Sequence, residues 1–184
     1  MKIVKLIAIT SSVLFITSCN NNKQGESNEA SAVSLREQYL DQIKKVEVEM
    51  HKSPEINNVT AGLAIKAYTD YATSFPTDSL TPDYLFKAGE IATATQQYPQ
   101  ALNYYKNITE KYPTFKYIQE SLYLQGFLLD NYLNDDAKAK IIYEAVIAKY
   151  PTSSFANDAK AAISNLGKSD EELIKEFKKK NGEK

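Results

Sequence analysis

The tetrapeptide Lys-Tyr-Pro-Thr (KYPT) occurs at Lys111–Thr114 and again at Lys149–Thr152, and a variant, Ser-Phe-Pro-Thr, stands at Ser74–Thr77. The three prolines, Pro76, Pro113 and Pro151, are spaced 37 and 38 residues apart. A fixed period of this length marks a repeat array. Reading backwards from each proline extends the match. Twelve residues before stand Ala64, Ala101 and Ala139, and eight before stand Tyr68, Tyr105 and Tyr143. Five before stand Tyr71, Ile108 and Val146, and immediately before stand Phe75, Tyr112 and Tyr150. The intervals of four, three and four residues place these side chains on one helical face. The alanine lets a neighbouring helix approach, the aromatic fills the space beside it, and the proline ends the helix because it lacks an N–H and restricts the residue before it.

A helix precedes each of the last two proline-closed helices. Gly89 lies twelve residues before Ala101, and Gly126 thirteen before Ala139, each with a leucine (Leu85, Leu122) four residues earlier. Glycine inside a helix costs about 1 kcal/mol against alanine, so a repeated one points to close helix contact. Thr81-Pro82 and Tyr98-Pro99 read as helix starts. The extra residue of the second interval falls in a loop near Tyr132–Asp135.

This pattern resembles the tetratricopeptide repeat: leucine and glycine on a first helix, then alanine, an aromatic and a closing proline on a second. The stretch YPTSSFANDA (Tyr150–Ala159) resembles the repeats of bacterial envelope lipoproteins of the BamD-like and Tol–Pal-coordinator type. The resemblance implies an all-α fold, a TPR-like α-solenoid of about three helix-turn-helix units with a capping C-terminal helix. The expected helices are 34–51, opening on a Ser34/Glu37 capping box, 59–75 standing alone, 82–96 paired with 99–112, 115–132 paired with 135–150, and 154–166 ending at Gly167. A last helix, 170–180, opens on a Ser169/Glu172 box and carries Leu173, Ile174 and Phe177 as an end cap for the stack.

The N-terminus reads differently. Lys2 and Lys5 precede a short apolar run, Leu6–Ile16, and then the small residues Thr17 and Ser18. That order reads as a secretion signal over 1–18. The run is shorter than the roughly 20 apolar residues a spanning helix needs. Cys19 is the single cysteine of the chain, and "ITSC" (Ile16–Cys19) resembles the bacterial lipobox, which implies lipidation at Cys19. By the best-known sorting rule, Asn20 favours the outer membrane. Residues 19–33 are expected to form the lipidated start and a flexible tether, residues 34–180 the repeat domain, and 181–184 a tail.

Composition removes several function classes. The net charge is -1 and the only basic cluster is Lys178–Lys180, so nucleic acid is not an expected partner. One cysteine and one histidine make no structural zinc site. His51 has no nucleophile partner and reads as a loop residue. Asp135-Asp136 suits a helix start rather than a cation. Asp78-Ser79-Leu80 resembles a short O-glycosylation site of some Bacteroidetes and reads as coincidence. No catalytic constellation, cofactor or metal is expected.

The repeat resemblance also implies an inner groove. Carried over by register, its residues are Asp83, Phe86, Glu90 and Thr93 in one unit and Glu120, Tyr123, Phe127 and Asp130 in the next, with Phe86 and Phe127 open to a second role as packing residues. Aromatics mixed with carboxylates suit a peptide bearing apolar and basic side chains. The leading expectation is a non-enzymatic, lipid-anchored scaffold for a protein partner in the bacterial envelope, facing the periplasm and serving outer-membrane protein assembly or envelope maintenance. The alternative is a lipoprotein that captures glycan or peptide nutrients.

Overall fold

The computed structural model describes residues 23–52 and 57–182. The expected signal peptide, Cys19 and Asn20 lie outside them, as does the Ser53-Pro54 break. The described residues form eight α-helices and no strand: α1 (Lys23–Met50), α2 (Asn58–Ser74), α3 (Thr81–Ala94), α4 (Tyr98–Lys111), α5 (Ile118–Asn131), α6 (Asp136–Lys149), α7 (Ser154–Asn165) and α8 (Asp170–Lys180). None of them is long and apolar enough to cross a membrane.

The repeated triplet does the same thing three times. Phe75, Tyr112 and Tyr150 each close a helix with φ near -130° and ψ near 60°, and each donates its N–H to the carbonyl four residues back, on Tyr71, Ile108 and Val146. The proline that follows has no N–H to continue the ladder. The Tyr112 hydroxyl donates to the carbonyl of Pro76 at 2.9 Å, tying one triplet to the preceding one.

The alanine–aromatic columns are the core. Ala64, Ala101 and Ala139 and Tyr68, Tyr105 and Tyr143 are all buried. Gly89 faces the ring of Tyr105, and Gly126 faces that of Tyr143; a Cβ on either glycine would lie 2.7 Å from the nearest ring atom. The missing side chain on the first helix of each pair is thus the space the tyrosine of the second occupies. Three apolar clusters run along the chain. The first joins Ile43 to Ala64, Tyr68, Tyr71 and Ala88; the second joins Leu85 and Phe86 to Tyr105, Phe115 and Leu128; the third joins Leu122 and Leu129 to Tyr143, Val146 and Ala159. Leu102 packs against both the second and the third, and Ile91 against both the first and the second, so the core is continuous.

Two expectations about α1 are corrected. The helix starts at Lys23, not Ser34, so residues 23–33 of the expected tether are helical and Ser34 lies inside a helix, where it caps nothing. The segment is polar, which reads as a linker, but its Lys, Gln, Glu and Ala residues are good helix formers. The repeat body begins at Arg36. The second correction is that α2 does not stand alone. Ile43 is buried against it, Tyr39 meets Phe75 edge-on at 5.7 Å, and the Tyr68 hydroxyl donates to Glu47 at 2.9 Å. The later part of α1 therefore completes a third pair. Arg36 reaches the turn after α2 and donates to Asp78 at 2.7 Å.

At the far end, α7 packs on α6 and also touches α5. Ser169 and Glu172 form the reciprocal capping box expected of them, and α8 follows. Its shielding role is smaller than expected: Ile174 and Phe177 remain 54% and 63% exposed. The last pair is covered by α7.

Candidate functional site

The first helix of each pair carries the groove positions, and the structure separates them into two groups. Tyr123, Phe127 and Asp130 on α5 line one cleft of about 830 Å³. Its other walls are Tyr143 and Asp136 of α6, Asp158 and Asn165 of α7, and Lys168 and Leu173 around the start of α8. Asp83, Phe86 and Glu90 do not line it.

Phe86 is corrected from groove residue to core residue. It is 6% exposed and packs against Tyr105, Phe115 and Tyr117, with ring centroids 5.7, 6.0 and 5.1 Å away. The reason lies in the turn after α4. Phe115 and Tyr117, themselves edge-on at 5.5 Å, pack together against Phe86. One period later, 38 residues on, the equivalents are Ser153 and Phe155. Phe155 still packs on Tyr123 with ring centroids 5.5 Å apart, but Ser153 supplies no ring, and Tyr123 stays partly open.

Asp83 is engaged with Lys116 at 2.7 Å on the same exposed edge. The Thr93 hydroxyl donates back to the Gly89 carbonyl. Glu90 is exposed overall, yet crowding around its carboxyl and then the neighbouring Glu120 carboxylate raise its pKa. Glu90 on α3 and Glu120 on α5 thus place two carboxylates near each other, outside the cleft lining.

Within the cleft, Tyr123 and Phe127 lie one turn apart on α5 with centroids 6.4 Å apart. Phe127 is backed edge-on by Tyr132, which stacks on Tyr98 at 4.1 Å. An aromatic shelf is held in place from behind. Asp130 accepts a hydrogen bond from the buried Tyr143 hydroxyl at 3.2 Å; partial burial raises its pKa, with Tyr143 opposing. Asp158 and Asp136 add two more carboxylates. The one ammonium in the lining, Lys168, pairs with Glu176 at 2.7 Å. The field in the cleft is therefore negative.

The α7 side of the cleft is readable from the repeat period, beyond the groove residues expected on α3 and α5. Adding one period of 38 to Glu120, Tyr123, Phe127 and Asp130 reaches Asp158, Ala161, Asn165 and Lys168, all of which line the cleft. The repeat columns continue into the helix after the last triplet. The repeat periodicity places Tyr143 in the core, and its hydroxyl also reaches the cleft through Asp130.

The remaining candidates behave as local structure. His51 sits exposed at the end of α1 with Nδ1 2.6 Å from the Glu47 carbonyl. Asp135 caps α6, accepting from the Lys138 N–H at 3.1 Å. Among the described residues, no three His, Cys, Asp or Glu side chains gather closely enough to hold a metal ion.

A tetratricopeptide-repeat family model matches residues 83–114 and 120–153. No curated protein matches the chain. The two matched segments are the α3–α4 and α5–α6 pairs, each running through its closing Tyr-Pro-Thr. Repeats of this kind build scaffolds for protein–protein contact. The glycine-to-tyrosine packing inside each pair and the family match across it agree on the same residues: the α3–α4 and α5–α6 pairs are two tetratricopeptide-like repeat units.

Proposed function

We propose that the protein is a non-enzymatic scaffold that holds a protein partner in the α5–α7 cleft, and that lipid on Cys19 anchors it in the bacterial cell envelope, at the outer membrane facing the periplasm. The observation that carries the partner reading is the convergence of Tyr123 and Phe127 with Asp130, Asp136 and Asp158 in one cleft whose lining lysine is already paired. Rigid aromatics supply contact area at low entropic cost, and unpaired carboxylates select for arginine or lysine beside apolar side chains. A partner segment with that alternation, entering as a helix or an extended strand, fits the site. A role in outer-membrane protein assembly or envelope maintenance follows from the lipobox and from the likeness of Tyr150–Ala159 to repeats of envelope lipoproteins.

A photo-crosslinking amino acid at Phe127, in cells making the full chain, tests the partner. Covalent capture of a defined protein, reduced by Asp158→Lys, is the expected result. Capture of glycan or lipid alone would remove the protein-scaffold reading. Labelled palmitate tests the anchor separately: it should enter the wild type and not Cys19→Ala, and equal labelling would defeat lipidation at that residue.

A further inference from the structure

We propose that α8 is a self-association helix, pairing antiparallel with α8 of a second copy of this chain. The helix reads DEELIKEFKKK, and its Leu173, Ile174 and Phe177 share one side by their spacing of three and four residues. Ile174 and Phe177 stay 54% and 63% exposed, and a cleft of about 820 Å³ opens between them and Ser164 and Asn165 at the end of α7. A stripe left open in this way marks an interaction surface.

The charges say what covers it. Glu171 and Lys178 are seven residues apart, so they lie two turns apart on the same edge of the apolar stripe. A two-fold axis near Lys175 brings Leu173 of one copy onto Phe177 of the other. The same operation brings Glu171 to within one residue's rise, about 1.5 Å, of the level of Lys178 of the second copy, and Lys178 likewise to its Glu171, an offset the long lysine side chain spans. One register thus satisfies both the apolar contacts and the edge charges, as an isologous interface demands. Lys175 and Lys179 fall on the opposite side of the helix, away from the axis. Glu176 is already taken by Lys168 at 2.7 Å, so it does not compete. An anionic lipid surface fits worse, because Glu171 stands at the edge of the stripe and would face the headgroups. The paired surface is small, three apolar side chains per copy, so the dimer is a weak one.

The test is a photo-crosslinking phenylalanine analogue at Phe177 in the full chain. The expected product is a covalent homodimer whose crosslink maps to the peptide containing Leu173. Lys178→Glu and Glu171→Lys each place like charges in contact twice per dimer and should lower the homodimer yield roughly three- to tenfold. The double variant Glu171→Lys/Lys178→Glu reverses both signs and should restore it. These residues are exposed, so circular dichroism should show an unchanged fold in every variant. A crosslink to lipid or to another protein, a homodimer mapping Phe177 to Phe177, or a double variant no better than the single ones would each overturn the proposal.

Discussion

Gly62 and Gly126 both sit inside helices, and the same substitution should move stability in opposite directions. Replacing a helical glycine by alanine gains up to about 1 kcal/mol by restricting the unfolded chain and improving helix propensity. At Gly62 a methyl group meets nothing within 4 Å, so the gain stands alone, and Gly62→Ala should stabilise by about 0.5–1 kcal/mol. At Gly126 the methyl would lie 2.7 Å from Cε1 and 2.8 Å from Cδ1 of Tyr143. Carbon atoms rest about 3.5–4.0 Å apart, so the ring must retreat by roughly 0.8 Å or more. It has little freedom to do so: Tyr143 is fully buried, hydrogen-bonded to Asp130, and 5.7 Å from the ring of Tyr123. Overpacking of this kind costs about 1–3 kcal/mol. The net expectation for Gly126→Ala is a loss of about 1 kcal/mol, which puts the two variants roughly 2 kcal/mol apart. Urea titration followed by circular dichroism measures this as opposite shifts of the midpoint at constant slope. In melting temperature, each kcal/mol corresponds to about 2–4 °C for a chain of this size. If Gly126→Ala stabilises as much as Gly62→Ala, the glycine is not the seat of the tyrosine, and the packing argument for the repeat fails.

Phe86→Ala should lower stability by about 3 kcal/mol or more, as a buried aromatic does, whereas Phe127→Ala should change stability far less and lower partner capture; denaturation alongside crosslinking separates the two roles. Ala101 is fully buried, so Ala101→Leu should destabilise by about 1–3 kcal/mol and lower the melting temperature. The acid limb of the stability curve should contain two opposed contributions. Asp78 is held below the usual carboxylate range chiefly by its hydrogen bond from Arg36, so its contribution is present above an unfolded pKa of about 4 and fades as pH falls through the folded value. Asp78→Asn should therefore cost stability at pH 7, and the cost should shrink progressively as pH falls below about 4. Glu90 is raised by crowding and by Glu120, so Glu90→Gln should stabilise at pH 7 and match the wild type below pH 4.

Most of the fold was legible because each repeat column states a physical requirement. A glycine thirteen residues before an alanine means little by itself; with a tyrosine four residues past that alanine it describes a ring and the gap that receives it. The helix ends were legible for the same reason, since proline and the capping side chains of Ser153, Ser169 and Asp135 act locally. What escaped the sequence depends on partners far along the chain. Phe86 and Tyr123 occupy one column, and only the turn residue that reaches back, Phe115 in one unit and Ser153 in the next, decides which is covered. The start of α1 escaped for a different reason: polar composition argued for a linker, while residue-by-residue propensity favoured helix. The α7 wall of the cleft continues the repeat columns past Pro151, where the closing proline marks the end of the last complete unit.

Because the packing of the repeat body links chiefly consecutive helices, its response to tension differs from that of a closed globule. Among the described residues no strand pair or extensive contact joins the first pair to the last, so a pull on the two ends loads the junctions in series. The body should lengthen in steps, one helix pair at a time, each releasing about 37 residues and on the order of 120 Å of extended chain. A body of this kind can let out slack between its ends while the pairs still folded keep their shape.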